Sequence, residues 1–362
     1  MATVHRLFDV ILLRGAARNA QQDTGGEARV MAGENGWLNS LAALYAMPED
    51  HRDFSVGRPA ALDVLRCDGP VLDLLVGAGL QCADIDGAQH FDRYDLFNLA
   101  LASQSGRSLP EISMRYALRW MQGAPATWTE PLDWNFDVEL GCPLGDGCGA
   151  DPRWEHARLL PEATGGQLLS WQTEPTDVRV TDDVVRHSGP GPVRLAGSLR
   201  TCGELRTLRS QKLRYIVDEF LAHDYTWARM PETLQAQETR MLAAGVAPCI
   251  AASIFLEREF RAAGYEAITR RGWIMGVLDL AHSWVEVTDD DGMTKCVDVT
   301  FRKLTQYAHR PHPELAEACV GSRLNRLLPT SIPADGAMAG HRCGGVARTP
   351  LRKTTVRKIG RG

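Results

Sequence analysis

The segment from Ala281 to Thr300, AHSWVEVTDDDGMTKCVDVT, constrains the fold more than any other part of the chain. Apolar and polar residues alternate on both sides of an acidic turn that ends in glycine, which is typical of a β-hairpin. Alternation places His282 and Asp298 on the face opposite the valines of both arms. If the two lie directly across from each other, the turn is centred on Asp290. Their Cβ atoms are then about 4.5–5.5 Å apart, within reach of an imidazole–carboxylate hydrogen bond.

A nucleophile for this histidine is found upstream, at Cys249 in the segment GVAPCIAAS. The residues that follow are first apolar and then charged, which predicts a helix that enters the core at its N-terminal end. A helix N-terminus and an adjacent imidazolium both lower the pKa of a thiol. The backbone N–H groups of the same helix start can face an oxyanion. We therefore predict Cys249 as nucleophile, His282 as base and Asp298 as the residue that orients the base.

Residues 208–304 resemble the transglutaminase-like family of papain-type Cys-His-Asp enzymes, which share a core fold with the arylamine N-acetyltransferases. The resemblance rests on Gly245 before Cys249, an apolar helix that ends at Gly264, the motif HSWVEV at 282–287 and the motif VDVT at 297–300, with FLAHDYTW further upstream. It implies an α+β fold in which a nucleophile-bearing helix packs on an antiparallel sheet. It implies the same three catalytic roles for Cys249, His282 and Asp298.

The chain departs from the family pattern near the nucleophile. Gly245 stands four residues before the cysteine instead of two, Pro248 directly precedes it, and Cys296 replaces the aromatic residue that often precedes Val-Asp. The family draws its oxyanion-hole side chain from Gln, Asn, Tyr or Trp upstream of the cysteine. By this resemblance we predict Trp227, and the alternatives that remain open are Tyr225, Gln235 and Gln237.

The chain divides by pattern into three regions. Residues 36–123 place apolar residues at helical spacing, residues 124–166 are rich in Pro, Gly and Trp and predict irregular structure, and residues 167–200 contain strand-like segments. The end of the chain, from Gly336 to Gly362, has seven Lys/Arg and no acidic residue. The predicted domains are a mostly helical N-terminal region of unknown role (1–166), a transglutaminase-like catalytic domain (167–330) and a basic, disordered tail (331–362).

Composition excludes several functional classes. A formal net charge of −5 gives no reason to expect nucleic acid as a partner. No stretch approaches the roughly 18 apolar residues of a membrane span, and the short apolar start before Arg14 does not resemble an export signal. The nine cysteines are odd in number and form no CxxC, so free thiols are expected. We predict a cytoplasmic protein without a membrane partner, and the oligomeric state stays open.

A zinc site is the alternative for Cys142, Cys148 and His156 in GCPLGDGCGADPRWEH. The spacings are loose and a fourth ligand is not evident, whereas structural zinc takes four ligands. Neither a metal nor a cofactor is therefore predicted. A metalloenzyme centred on residues 142–156 would instead contain stoichiometric zinc and lose activity to chelators.

The predicted function is cysteine-dependent acyl transfer through a thioester acyl-enzyme. An amine resolves the intermediate in amide formation or transamidation, and water resolves it in an amidase or peptidase. The long upstream region favours a small-molecule or carrier-bound acyl donor. The alternative from another class is a non-catalytic, transglutaminase-like binding or scaffold protein, in which Cys249 would be an ordinary thiol.

Overall fold

The structure is a computed structural model that describes residues 34–276 and 281–360. The prediction that the chain starts without an export signal concerns residues outside this range. The α-helices are α1 Glu34–Ala42, α2 Arg58–Leu65, α3 Gly69–Gly77, α4 Arg93–Ala102, α5 Leu109–Ala117, α6 Gln211–Ala222, α7 Glu232–Gln235, α8 Glu238–Ala243, α9 Cys249–Ala262, α10 Val299–Leu304 and α11 Leu315–Ala318. No helix among the described residues is both long enough and apolar enough to cross a bilayer.

The strands alternate with these helices along the whole described chain. They are β1 Val56–Gly57, β2 Cys82–Ile85, β3 Ala88–Phe91, β4 Leu132–Gly141, β5 Arg153–Ala157, β6 Gln167–Glu174, β7 Arg179–Val180, β8 Val184–Ser188, β9 Val193–Thr201, β10 Ala267–Ile274, β11 Ala281–Thr288, β12 Thr294–Val297, β13 Val320–Gly321, β14 Leu327–Pro329, β15 Ala339–Cys343, β16 Val346–Arg348 and β17 Leu351–Lys358.

The helical prediction for residues 36–123 is confirmed by α1 to α5. Local signals set the helix starts: Asp68 accepts a hydrogen bond from the Val71 N–H at the start of α3, and Ser108 forms a capping box with Glu111 at the start of α5. A small antiparallel sheet in the order β1-β3-β2 was not predicted. Helices and sheet enclose a core of their own around Leu65.

The site sheet is a five-stranded antiparallel sheet in the order β13-β12-β11-β10-β14. Helix α9 packs on β10 and β11. This is the predicted nucleophile-bearing helix on an antiparallel sheet, so the α+β fold class, with the core arrangement of the transglutaminase-like family, is confirmed. Side chains of the site sheet join those of a four-stranded sheet, β17-β4-β9-β6, in one buried cluster that includes Trp273, Leu328, Trp134, Phe136 and Leu199.

The hairpin of β11 and β12 differs from the prediction by one residue. Val285 pairs with Val297, so the turn is centred on Asp291 instead of Asp290. The cause is a three-residue loop that ends at Gly292, whose φ of 71° is a left-handed conformation that glycine adopts without strain. Asp298 therefore does not lie across from His282. It lies beyond the end of β12, directly before α10.

The predicted domain boundaries are wrong. The described chain forms two compact units, and each combines separate stretches of sequence. One unit joins the residues up to 122 with 225–248 and 305–311, and the other joins 123–224, 249–304 and the residues from 312 on. Residues 124–166, predicted to be irregular, contain β4 and β5, which pair with β9 and β8 across the expected boundary at residue 166.

The prediction of a disordered tail is also wrong over its described part, residues 331–360. Strands β15 and β16 extend a five-stranded sheet in the order β16-β15-β5-β8-β7, and β17 pairs with β4 along its full length. The tail lacks acidic residues because its partner strand supplies them: Lys353 lies directly opposite Glu139. A composition that indicates disorder in isolation is here half of a charge-complementary strand pair.

Candidate active site

Cys249 is the first residue of α9 and is 8% exposed. The four residues that follow it are buried, and the charged residues fall in the second half of the helix, as the sequence predicts. The first N–H groups of a helix have no intrahelical acceptor and carry the positive end of its dipole. The thiol therefore lies where a negative charge is stabilised.

His282 and Asp298 form a short hydrogen bond, with 2.7 Å between Nε2 and Oδ2. Both side chains are almost fully buried. The second carboxylate oxygen, Oδ1, accepts the backbone N–H of Phe301 at 2.8 Å, so Asp298 also caps the N-terminus of α10. With both oxygens engaged, the carboxylate is held in one orientation, and so is the imidazole that it contacts.

Cys249 forms a hydrogen bond with the imidazole of His282, and its sulfur also accepts the backbone N–H of Ser283. Because Nε2 faces Asp298, Nδ1 is the nitrogen that faces the sulfur. Burial alone raises the pKa of Cys249, but the ring of His282, the charge of Arg271 and the Ser283 N–H together hold that pKa below its ordinary value. Burial alone lowers the pKa of His282, but Asp298 and Cys249 outweigh it and raise that pKa to about 10. These directions favour a thiolate–imidazolium pair.

Arg271 is a charged group of the site that the sequence interpretation missed. It lies on β10 opposite Ser283, is 1% exposed, and donates from Nη1 to Ser283 Oγ at 3.1 Å and to the carbonyl of Ala334 at 3.3 Å. Its neighbour Arg270 pairs with Glu286 on the adjacent strand. The consecutive arginines in a strand were the available signal, because alternation sends one of them into the core. The carbonyl that holds Arg271 belongs to the region predicted to be disordered.

The walls around His282 are apolar. The rings of Trp284 and Phe301 lie 6.0 and 6.2 Å from the imidazole between centroids. Gly272 lies directly across the strand pair from His282, where a Cβ would come within 2.7 Å of the Trp284 ring and 2.2 Å of the Leu328 carbonyl oxygen. Glycine is therefore required beside the histidine because the backbones and the indole approach so closely.

Trp227 belongs to the compact unit that does not contain Cys249. It is half-buried, and its ring centroid lies 6.0 Å from that of Tyr307 in an edge arrangement. Among the alternatives, the side-chain amide of Gln235 donates to the Met230 carbonyl and that of Gln237 contacts His51. The assignment of Trp227 as an oxyanion donor stays a prediction.

The zinc candidates predicted from residues 142–156 are not brought together. The imidazole of His156 is buried and its Nδ1 contacts the Ala157 carbonyl at 2.7 Å. Cys142 and Cys148 lie instead beside His341 and Cys343. Cys296, on the same face as Asp298, is a packed thiol whose pKa is raised by burial.

Comparisons with known proteins give little beyond this geometry. No protein-family model matches the chain, and no curated protein matches it. A crystal structure provisionally described as a cysteine protease, from Cytophaga hutchinsonii, is similar at a TM-score of 0.39 and 10% identity over 65% of this chain and 93% of that one. Similarity at this level supports neither a shared activity nor a shared substrate.

Proposed function

We propose that the chain is a cysteine-dependent enzyme that transfers acyl groups through a thioester on Cys249. The observation that carries the proposal is the linked series Asp298–His282–Cys249 at the N-terminus of α9. A buried thiol in an ordinary core has a raised pKa, as Cys296 and Cys319 do, whereas that of Cys249 is lowered. Among these three buried cysteines, the direction of the shift is what sets Cys249 apart.

The reaction would proceed in two steps. The thiolate of Cys249 attacks the carbonyl carbon of an amide, ester or thioester and forms the S–C bond. His282 donates its proton to the leaving group as the old acyl bond breaks, and the acyl-enzyme remains. An amine or water then gives a proton to His282, attacks the thioester and releases the thiolate. Asp298 holds the imidazole in place throughout.

Electrostatics would contribute to both steps. The free N–H groups at the start of α9 point toward the position where the carbonyl oxygen gains negative charge. The buried charge of Arg271 compensates the thiolate before the substrate arrives. The acyl donor we propose is a small molecule or a carrier-bound acyl group, with an amine or water as acceptor.

Intact-mass spectrometry after incubation with acyl thioesters and anilides tests the proposal. We expect the mass of the wild-type protein to rise by one acyl group, and the adduct to map to Cys249. The same adduct should form on Cys202→Ala, which removes a half-buried thiol outside the site, and should be absent from Cys249→Ala. Addition of hydroxylamine or an alkyl amine should then release the acyl group.

Two results would contradict the proposal. An adduct that persists in Cys249→Ala would assign the chemistry to another residue. If no donor reacts and iodoacetamide labels Cys249 no faster near neutral pH than it labels Cys67, the protein is a non-catalytic binding or scaffold module. Cys67 is a suitable reference because burial raises the pKa of its thiol to about 11.

A further inference from the structure

Four metal-ligating side chains meet away from the proposed active site. The sulfurs of Cys142, Cys148 and Cys343 and a ring nitrogen of His341 all lie within 4.8 Å of one another, and Cys148 Sγ is 3.6 Å from His341 Nε2. Zinc bonds of about 2.3 Å to sulfur and 2.0–2.1 Å to nitrogen place a tetrahedral S···N pair about 3.6 Å apart. We propose that these four residues bind one Zn²⁺ ion as a Cys₃His structural site.

The fold brings the ligands together from two distant parts of the chain. Cys142 directly follows β4, and Cys148 follows a single 3₁₀ turn at Gly145–Gly147. His341 and Cys343 are alternate residues of β15, so their side chains leave the strand on the same face. This explains why residues 142–156 alone supplied no fourth ligand: the missing ligands lie about 190 residues further on.

The imidazole of His341 is oriented as a metal ligand. Nδ1 lies 3.0 Å from the backbone carbonyl of Arg153, to which it donates its proton, and the ring stacks on Trp154 with 3.8 Å between centroids. A proton fixed on Nδ1 leaves the lone pair of Nε2 directed at the cysteines. A backbone carbonyl that fixes the tautomer in this way is a usual feature of histidine ligands.

The sulfur of Cys343 has two donors of its own. The backbone N–H of Gly149 and the guanidinium of Arg348 both hydrogen-bond to it. Three thiolates and one Zn²⁺ carry a net charge of −1, which the guanidinium offsets. At Gly149 a Cβ would lie 3.0 Å from the backbone nitrogen of Gly344, so glycine permits the loop after β4 and the β15–β16 turn to approach each other.

The composition of the set indicates the metal and its role. Thiolate and imidazole ligands in a closed set of four select zinc and leave no position for water or substrate. Bound zinc would join the loop after β4 to the C-terminal hairpin and stabilise both. The site contains no residue of the proposed triad, so its metal content is independent of Cys249 chemistry.

Metal analysis of the full-length protein tests the site. We expect one zinc per chain after purification without chelators. We also expect Co²⁺ substitution to give visible bands of tetrahedral cobalt and a near-ultraviolet thiolate charge-transfer band. Cys343→Ser and His341→Ala should each weaken zinc binding by roughly 100-fold or more, because each removes a direct ligand. Cys202→Ser is the matched control and should keep its full metal content.

His341→Cys keeps the proposal testable if the other variants fail to fold, because it preserves four ligands. It should bind one zinc and increase the cobalt charge-transfer band in proportion to the added thiolate. Two outcomes would overturn the site. One is reduced wild-type protein that takes up neither zinc nor cobalt, including protein in which mass mapping finds a disulfide between two of the three cysteines. The other is metal content that is unchanged in both Cys343→Ser and His341→Ala.

Discussion

At the scale of single residues, Asp298 connects catalysis to local folding. One oxygen of its carboxylate holds the imidazole of His282, and the other accepts a backbone N–H at the start of α10. The orientation of the proposed base therefore depends on a helix cap, and the cap depends on the same side chain. Arg271 has a comparable double role, because its charge acts on Cys249 while its hydrogen bonds join β10 to Ser283 and Ala334.

Two substitutions at Asp298 separate these roles. Asn caps a helix about as well as Asp, so Asp298→Asn should leave thermal stability nearly unchanged but slow acylation by roughly 10²–10⁴-fold, since the imidazolium loses its counter-charge. Asp298→Ala should add a loss of about 1 kcal/mol of folding free energy. Asp290→Asn, at an exposed carboxylate in the turn of the same hairpin, is the control and should change neither quantity. Equal acylation rates for Asp298→Asn and wild type would remove Asp298 from the mechanism.

The reactivity of Cys249 should depend on pH in a defined way. The thiolate forms above the lowered pKa of Cys249, so alkylation by iodoacetamide should rise with pH at values below 9.0, the ordinary value, and then level off. Acylation also needs the proton of His282, so its rate should fall again as pH rises through about 10.

Replacement of the histidine should shift this profile. His282→Ala removes the cation, so burial is less opposed and the alkylation limb should move to higher pH. The measurement is the labelling rate of the Cys249 peptide by mass spectrometry from pH 5 to 11. A limb at the same pH in wild type and His282→Ala would show that the imidazole does not activate the thiol.

At the scale of secondary structure, periodicity predicted elements well and registers poorly. The apolar-then-charged pattern of α9 and the alternation of β11 located both correctly, because burial of one helix end and of a sheet face follows directly from sequence spacing. The centre of the hairpin was wrong by one residue, since loop length depends on the left-handed conformation of Gly292. His282 and Asp298 still meet, because the residue after β12 turns into α10.

Strand β17 should be essential for stability, although its composition resembles that of a solvated tail. A chain that stops at Pro350 loses the eight-residue pairing with β4 and the Lys353–Glu139 contact. We expect its melting temperature to fall by roughly 10 °C or more, measured by circular dichroism. A chain that stops at Gly360 keeps β17 and is the matched control. Equal melting temperatures for the two chains would support the disordered tail predicted from composition.

At the scale of the whole molecule, the sequence predicted the site better than the domains. Cys249, His282 and Asp298 lie within about 50 residues of one another in elements with clear patterns. The partners of Arg271 and the ligands that accompany Cys142 and Cys148 come from residues beyond 330, where local pattern indicates little. Each compact unit is assembled from separated stretches, so no single boundary read along the chain could have divided them.

The pairing of β17 with β4 also sets an order of events during protein synthesis. Strand β4 leaves the ribosome about 200 residues before its partner exists, which corresponds to roughly 10–40 s of translation. During that interval one edge of β4 is an unpaired template for other strands, which is a hazard for a nascent chain. The acidic side chains of β4, among them Asp137 and Glu139, would hinder such pairing until the basic strand arrives.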